Sequence, residues 1–263
     1  LADNTSKITQ FFNPEYILND YYEGMTLGEI WGYETEGFFV DQNDIDNHAD
    51  QSRFNSNNAG VILPGDIKFK DLNEDGEISN GRNTVKDPGD MRVIGNSLPR
   101  FTYGFQLGMK YQNVSLSAFL QGVAKRDWYP PRESFYFWGQ YNRPYSPLPT
   151  SHLGNYYNAD PENPNPDAYF PRYSGLLAYS ASGALAQPQT KYLQDVSYLR
   201  LKNVTLSYAL PNNLIKKIAA DDITVFFTGQ NLFTFSNLFK YSKNIDPETI
   251  ESINPDTGDE AFG

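Results

Sequence analysis

F-T-Y-G-F-Q-L-G-M-K-Y-Q-N-V-S-L-S-A-F-L-Q-G-V, residues 101–123, is the stretch on which the fold turns. Phe101, Tyr103, Phe105, Leu107, Met109 and Tyr111 share one face, and Thr102, Gly104, Gln106, Gly108 and Lys110 share the other. The period is two, that of a strand. After Gln112–Asn113 the pattern resumes with Val114, Leu116, Ala118 and Leu120 opposite Ser115, Ser117 and Gln121, with Phe119 the one apolar departure. The two runs predict an antiparallel hairpin with a very short turn. Strands of soluble proteins commonly run about 5–6 residues, whereas a tilted strand crossing a bilayer needs about 9–11. The 11 residues from Phe101 to Tyr111 match the second length. The Ser, Thr, Gly and Gln face suits a watery lumen and the other face suits lipid. A long hairpin in a soluble β-sandwich is the competing reading.

Outward from this hairpin, Tyr192 to Leu210 reads as another strand. Leu199 and Leu201 lie in one phase and Val204, Leu206, Tyr208 and Leu210 in the other, which predicts a β-bulge at Lys202–Asn203. Residues 211–222 read as a compact connector and Ile223 to Gln230 as the next strand, with Ile223, Val225 and Phe227 on one face. Ile30 to Val40 is a further strand candidate, weakened by Gly32 and Gly37. Between these elements lie long segments at 41–100, 125–191 and 231–263, the second rich in proline and aromatic residues. So long a loop counts against a compact soluble domain but is normal outside a membrane barrel, whose opposite turns are short. This predicts the turns at 112–113 and 211–222 on the periplasmic side and the three long segments as extracellular loops.

The chain of 263 residues carries a net charge of −11 and no cysteine. The acidic balance excludes nucleic acid as a partner, since no basic stripe exists to neutralise phosphates. A disulfide framework and a thiolate metal site are excluded as well. No apolar run reaches the length of a membrane helix, which leaves a barrel open. The first residues, L-A-D-N-T-S-K-I-T-Q, lack the basic start and apolar core of a signal peptide and read as if cut from a longer protein. Aromatic residues make up 15%, with 19 Tyr and 18 Phe, a composition suited to bilayer interfaces and to sugar-contacting surfaces.

The sharpest local motif is at 71–79. Asp71, Asn73 and Asp75, then Gly76, Glu77 and Ser79, reproduce the D-x-N-x-D-G opening of a calcium loop: oxygen ligands at alternate positions, a glycine at the sharp turn, then a backbone carbonyl at Glu77. Arg82 stands where such a loop has its glutamate, so a structural Ca²⁺ or Mg²⁺ would need another carboxylate, from Asp87, Asp90 or Asp66. An Asx-rich turn without an ion is the alternative. Trp128, Tyr136, Trp138 and Tyr141 are candidate substrate-binding residues, because aromatic faces stack on sugar rings; packing within the loop is their competing role. No G-x-S-x-G, phosphate-binding glycine loop or H-E-x-x-H occurs, and nothing selects a catalytic residue. The two histidines, His48 and His152, lie in polar loops without ligand spacing, which predicts surface roles.

Four blocks in order, P-G-D-I-K-F-K-D-L-N-E-D-G (64–76), R-V-I-G-N-S-L-P-R-F-T-Y-G (92–104), S-Y-L-R-L-K-N-V-T-L-S-Y-A-L-P (197–211) and G-Q-N-L-F-T-F (229–235), resemble the C-terminal part of SusC/RagA-type TonB-dependent outer-membrane transporters. The resemblance implies an all-β fold, one segment of a plugged antiparallel transmembrane barrel of about 22 strands. It also implies import of oligosaccharides or peptides together with a SusD-like surface lipoprotein, using energy relayed by TonB through an N-terminal part, and no enzymatic activity. By the same likeness the plug, the TonB-contacting segment and a final strand beyond Ala261-Phe262-Gly263 are absent from this chain, and the stretch Ser79 to Lys86 is an insertion that leaves the ligand set of the 71–79 loop unsettled. A soluble calcium-stabilised carbohydrate-binding module and a β-rich glycoside hydrolase remain the alternatives.

Overall fold

The hairpin closes through Gln112, whose φ of 50° supplies the left-handed backbone of a two-residue turn. The computed structural model describes the backbone of residues 2–3 and residues 5–55, 60–158, 165–216 and 220–250. The far part of the expected 231–263 loop, from 251 on, lies outside the described residues. Eleven strands are described: β1 (Ala2–Asp3), β2 (Glu29–Tyr33), β3 (Thr35–Phe38), β4 (Ile67–Phe69), β5 (Met91–Asn96), β6 (Phe101–Tyr111), β7 (Val114–Ala124), β8 (Asp127–Trp128), β9 (Gln194–Asp195), β10 (Tyr198–Ala209) and β11 (Thr224–Ser236). The principal sheet has the order β1-β6-β7-β10-β11, antiparallel throughout.

The register carries the alternation across the sheet. Leu107 faces Ala118, which faces Val204; Met109 faces Leu116, then Leu206, then Phe227; Tyr111 faces Val114, then Tyr208, then Val225. A bulge falls between Leu201 and Asn203, where Lys202 is the extra residue against the uninterrupted Leu120–Phe119 of β7. That single insertion puts Val204, Leu206 and Tyr208 on the same side as Leu199 and Leu201. Beyond the turn at 112–113, Asn113 bonds the end of β10, its Nδ2 donating to the Ala209 carbonyl at 2.7 Å. The connector after β10 holds one helical turn at Asn212–Ile215.

Because β6 and β10 run away from the long segments and β7 and β11 return to them, both tight connections lie at one end of the sheet. At the other end the long segments fold together into a head. Its core is aromatic: Tyr33, Phe54, Phe69, Tyr129, Phe137, Trp138, Tyr141, Phe170 and Tyr192 are buried against one another with Ile67, Ile78 and Leu185. The segments 41–100 and 125–191, expected as extracellular loops, are folded together here. They contain β4, β5 and β8, and the pairs β2–β5, β3–β4 and β8–β9 frame the head.

Two boundaries also differ from expectation. The candidate strand Ile30–Val40 is two strands with different partners, divided at Glu34. There the chain is bridged by a third segment, with Tyr33 N–H donating to the Pro188 carbonyl at 2.9 Å and Thr190 N–H donating to Tyr33. Gly32 is required at this crossing, since a Cβ would sit 2.4 Å from the Pro188 oxygen. The segment expected as loop from residue 231 is still strand up to Ser236, because Asn231 takes a left-handed conformation and Phe233 and Phe235 continue the apolar face.

Candidate functional site

The first functional surface is the wall itself. Phe105 is 57% exposed, Leu107 60% and Phe227 75%, and Met109, Tyr111, Val225, Phe233 and Phe235 are exposed beside them. A contiguous apolar face spanning four paired strands is far more than a soluble surface tolerates. Tyr103 and Tyr111 bracket the band on β6. They stand eight residues apart, about 27 Å along the strand, which at a tilt of about 40° gives roughly 21 Å, close to the apolar height of outer-membrane barrels. The opposite face carries Thr102, Gly104, Gln106, Gly108, Lys110, Ser115, Ser117, Gln121, Thr205, Ser207, Thr228, Gln230 and Thr234. Aromatic side chains interrupt this side, among them Phe226, exposed opposite Ser207, and Phe119, which lies over Gly104, where a Cβ would be 3.2 Å from its ring. The wall is therefore greasy on one side and hydrogen-bonding on the other, as a lipid–lumen boundary requires.

The head contains the four aromatic candidates and separates them. Trp138 and Tyr141 are fully buried. Trp138 donates its indole N–H to the Pro131 carbonyl at 3.0 Å and meets Tyr192 edge-on with centroids 5.4 Å apart. Tyr141 donates to the Pro171 carbonyl at 2.6 Å and stacks on Tyr173 at 4.6 Å. Side chains so enclosed offer no face to a cargo, so their role is packing. Trp128 is half-buried and edge-on to Phe137. Tyr136 is 54% exposed beside Phe135, the one candidate of the four presenting a ring to solvent.

His152 is corrected as well: it is fully buried, with its ring 3.9 Å from that of Phe170. Its Nε2 lies 2.8 Å from the Phe137 carbonyl and so donates, and Nδ1 faces the Tyr173 hydroxyl at 3.3 Å. Burial pushes the imidazole down to about 4, opposed by the Phe137 carbonyl. The ring stays neutral in the fold, whereas the unfolded chain takes up a proton near pH 6.5. Stability of the head is thus complete above about pH 6.5, falls as pH drops toward 4, and loses about 3 kcal/mol over that window. Denaturant unfolding followed by head tryptophan fluorescence at pH 7.5 and pH 4.5 should show this loss, and His152→Gln should flatten it; an unchanged pH dependence in His152→Gln would count against the assignment.

The 71–79 loop is held by its own backbone. Asp71 accepts from Glu74 N–H at 2.7 Å and Gly76 N–H at 3.0 Å, Asp75 accepts from Glu77 N–H at 2.9 Å and from the Asn73 amide at 2.8 Å, and Asn73 accepts from Asp75 N–H at 3.2 Å. Ser79 Oγ accepts from Gly81 N–H at 3.1 Å, and Asp87 lies beside Gly81 in the following turn. The further carboxylates are engaged elsewhere. Asp90, fully buried, accepts from Leu72 N–H at 2.7 Å and Ser79 N–H at 2.8 Å and so closes the loop from beneath. Asp66 binds Arg172, with Nη2 donating at 3.0 Å and a closer, poorly aligned Nε contact at 2.6 Å. Among the described residues no three His, Cys, Asp or Glu side chains surround a common point. Asp71, Asn73, Asp75 and Ser79 thus sit in an Asx-turn loop, and a Ca²⁺ or Mg²⁺ held by the set Asp71, Asn73, Asp75, Glu77, Ser79 and Asp87 stays an expectation from the motif.

A cluster that sequence reasoning missed lies at the head end of the polar face. Arg200, 7% exposed, donates from Nε to the Thr234 hydroxyl at 2.8 Å and from its two Nη atoms to Asp246 and Glu248. Lys202 Nζ reaches Glu248 at 2.7 Å. Arg126 donates from Nε to the Ser97 carbonyl at 3.0 Å and from Nη2 to the Ile250 carbonyl. Leu238 and Ile250 pack with Val196 against Trp128 and Ile245. The available signal was two cations, Arg200 and Lys202, in an otherwise uncharged strand; their partners are 46 and 48 residues away.

No family model matches the chain. It is 28% identical over 215 residues to TonB-dependent receptor P3 of Formosa agariphila and 30% identical over 186 residues to TonB-dependent receptor P26 of the same organism. The alignments cover 82% and 70% of this chain but 18% and 16% of those proteins, so the chain spans less than a fifth of the relatives' length. Among solved structures, the RagAB peptide transporter superposes with a TM-score of 0.51 at 18% identity, over 86% of this chain and 20% of that one. The RagAB peptide importer in its open-open state gives 0.54 at 19%, over 88% and 21%. These two likenesses bear on fold. With the two-faced wall and the receptor sequences read together, the chain is similar over most of its length to part of the TonB-dependent receptors and has the fold of a segment of their outer-membrane β-barrel.

Proposed function

We propose that the whole protein is a nutrient importer of the outer membrane, energised through TonB, and that this segment supplies wall strands and a folded extracellular head. The observation that carries the reading is the unbroken apolar face across β6, β7, β10 and β11 with a polar face behind it. The chain works by passage and not by covalent chemistry, in keeping with relatives named as receptors. The head lies outside and the tight connections at 112–113 and 210–223 in the periplasm, following the rule that periplasmic turns are short. The cargo is an oligosaccharide or a peptide, and a SusD-like lipoprotein covers the mouth; the RagAB likeness supports a peptide and a two-component assembly. Of the four aromatic candidates, Tyr136 is the one exposed enough to meet cargo or lipoprotein.

The test is energised uptake. Cells lacking the full-length receptor should fail to grow on one class of the two, oligosaccharides or peptides, as sole nutrient. Uptake should return with the intact gene and not with a version unable to contact TonB. Growth restored equally by the TonB-blind version would contradict the proposal.

A further inference from the structure

The cluster around Arg200 holds part of the chain on the side of the wall that faces the lumen. Arg200 and Thr234 are paired across β10 and β11 and bond to each other, which fixes the guanidinium on the polar face. Whatever Arg200 binds is therefore on that face too. It binds Asp246 and Glu248, while Lys202 takes the second carboxylate oxygen of Glu248. Asp246 also accepts from Glu248 N–H at 2.9 Å, and its carbonyl accepts from Thr249 N–H at 3.1 Å, so residues 246–249 form a small rigid turn presenting both acids to the same arginine. The ends are secured independently: Ser236 Oγ caps the turn at Asn237–Lys240, Leu238 is buried with Val196, and the Ile250 carbonyl is held by Arg126. Two cations meet two anions, with the arginine withdrawn from water, an arrangement in which losing either partner strands a desolvated charge.

We propose that residues 237–250 are a strap drawn across the lumen side of the wall at its outer end, which narrows the mouth of the pore and is fastened by Arg200 and Lys202 to Asp246 and Glu248. The inference rests on the membrane reading, since only a polar face turned to the lumen places the strap in the path. Its consequence is size selection: large solutes meet the strap, and small ones pass beside it.

The experiment uses the full-length receptor in outer membranes of intact cells. Ser117, exposed on the polar face and paired with Thr205, lies inward of Arg200 along the wall and receives the label as Ser117→Cys. A bulky polyethylene-glycol maleimide added outside should react slowly when the strap is fastened. With Arg200→Gln and Lys202→Gln together it should react about tenfold faster, while a small charged maleimide changes little. Asp246→Asn with Glu248→Gln releases the strap from its other side, keeps the turn's backbone bonds, and should give the same acceleration. A bulky-reagent rate that stays the same, or stays at zero, in both neutralised pairs overturns the strap. Leu107→Cys distinguishes the two readings: it should resist the charged reagent in every background, and its reaction would overturn the membrane placement itself.

Discussion

Leu107→Arg should lower the stability of the assembled barrel by about 2–4 kcal/mol, the cost of a cation at the midplane of the lipid-facing surface of an outer-membrane barrel. Leu107 is the natural site, lying midway between Tyr103 and Tyr111 on the apolar face and 60% exposed. Two controls make the number specific. Tyr111→Arg, at the edge of the band, should cost no more than about 1 kcal/mol, because the penalty falls away toward the interface. Gln106→Arg, one residue away on the opposite face, should stay within about 0.5 kcal/mol, as surface changes do. Urea titration of the full-length receptor in lipid vesicles, scored by heat-modifiable gel migration, reads all three. Equal costs at 106 and 107 would mean that the two faces meet the same solvent.

Trp138→Ala should cost the head about 3–5 kcal/mol, the range for deleting a large aromatic from a closed core. The indole is fully buried, its N–H is bonded to Pro131, and it touches Phe137, Tyr129 and Tyr192. Removing it leaves a cavity lined by rings whose backbone, being irregular, has little regular hydrogen bonding to hold it in place. Amide exchange should therefore quicken through 129–192 while β6, β7 and β10 keep their protection. Tyr136→Ala, two residues earlier and exposed, should leave the exchange unchanged. Cargo affinity lost in Trp138→Ala with no change in exchange would instead restore the tryptophan as a binding surface.

The wall was legible from sequence because its information is local. Period two over 11 residues fixes both strand and faces, and the phase change between Leu201 and Val204 reveals the bulge without any knowledge of the neighbours. The head was illegible for the opposite reason. Trp138 and Tyr141 sit on single short helical turns and Phe170 and Tyr192 on irregular backbone, none with a period, so nothing near any one of them shows that the rings converge. Proline and tyrosine density reads as loop in a sequence, yet here it builds a core. His152 follows the same logic: polar neighbours along the chain, aromatic neighbours in space.

The D-x-N-x-D-G loop is a different case. The same alternating oxygens that ligate an ion also accept backbone N–H groups, and the choice depends on whether further carboxylates close the shell. Asp66 bonds an arginine 106 positions away and Asp90 bonds the loop's own backbone, facts no spacing rule contains. The Arg200 cluster is likewise a pairing across more than forty residues, visible beforehand only as an odd pair of charges in a strand.

The membrane placement is tested most directly by which solvent each face of β6 meets. The sequence contains no cysteine, so a nitroxide can be attached at Leu107→Cys or Gln106→Cys in the full-length receptor reconstituted in lipid. The label at 107 should collide readily with oxygen dissolved in the acyl chains and rarely with a water-soluble nickel chelate. The label at 106 should show the reverse preference. Nickel access at 107 equal to that at 106 would contradict the account.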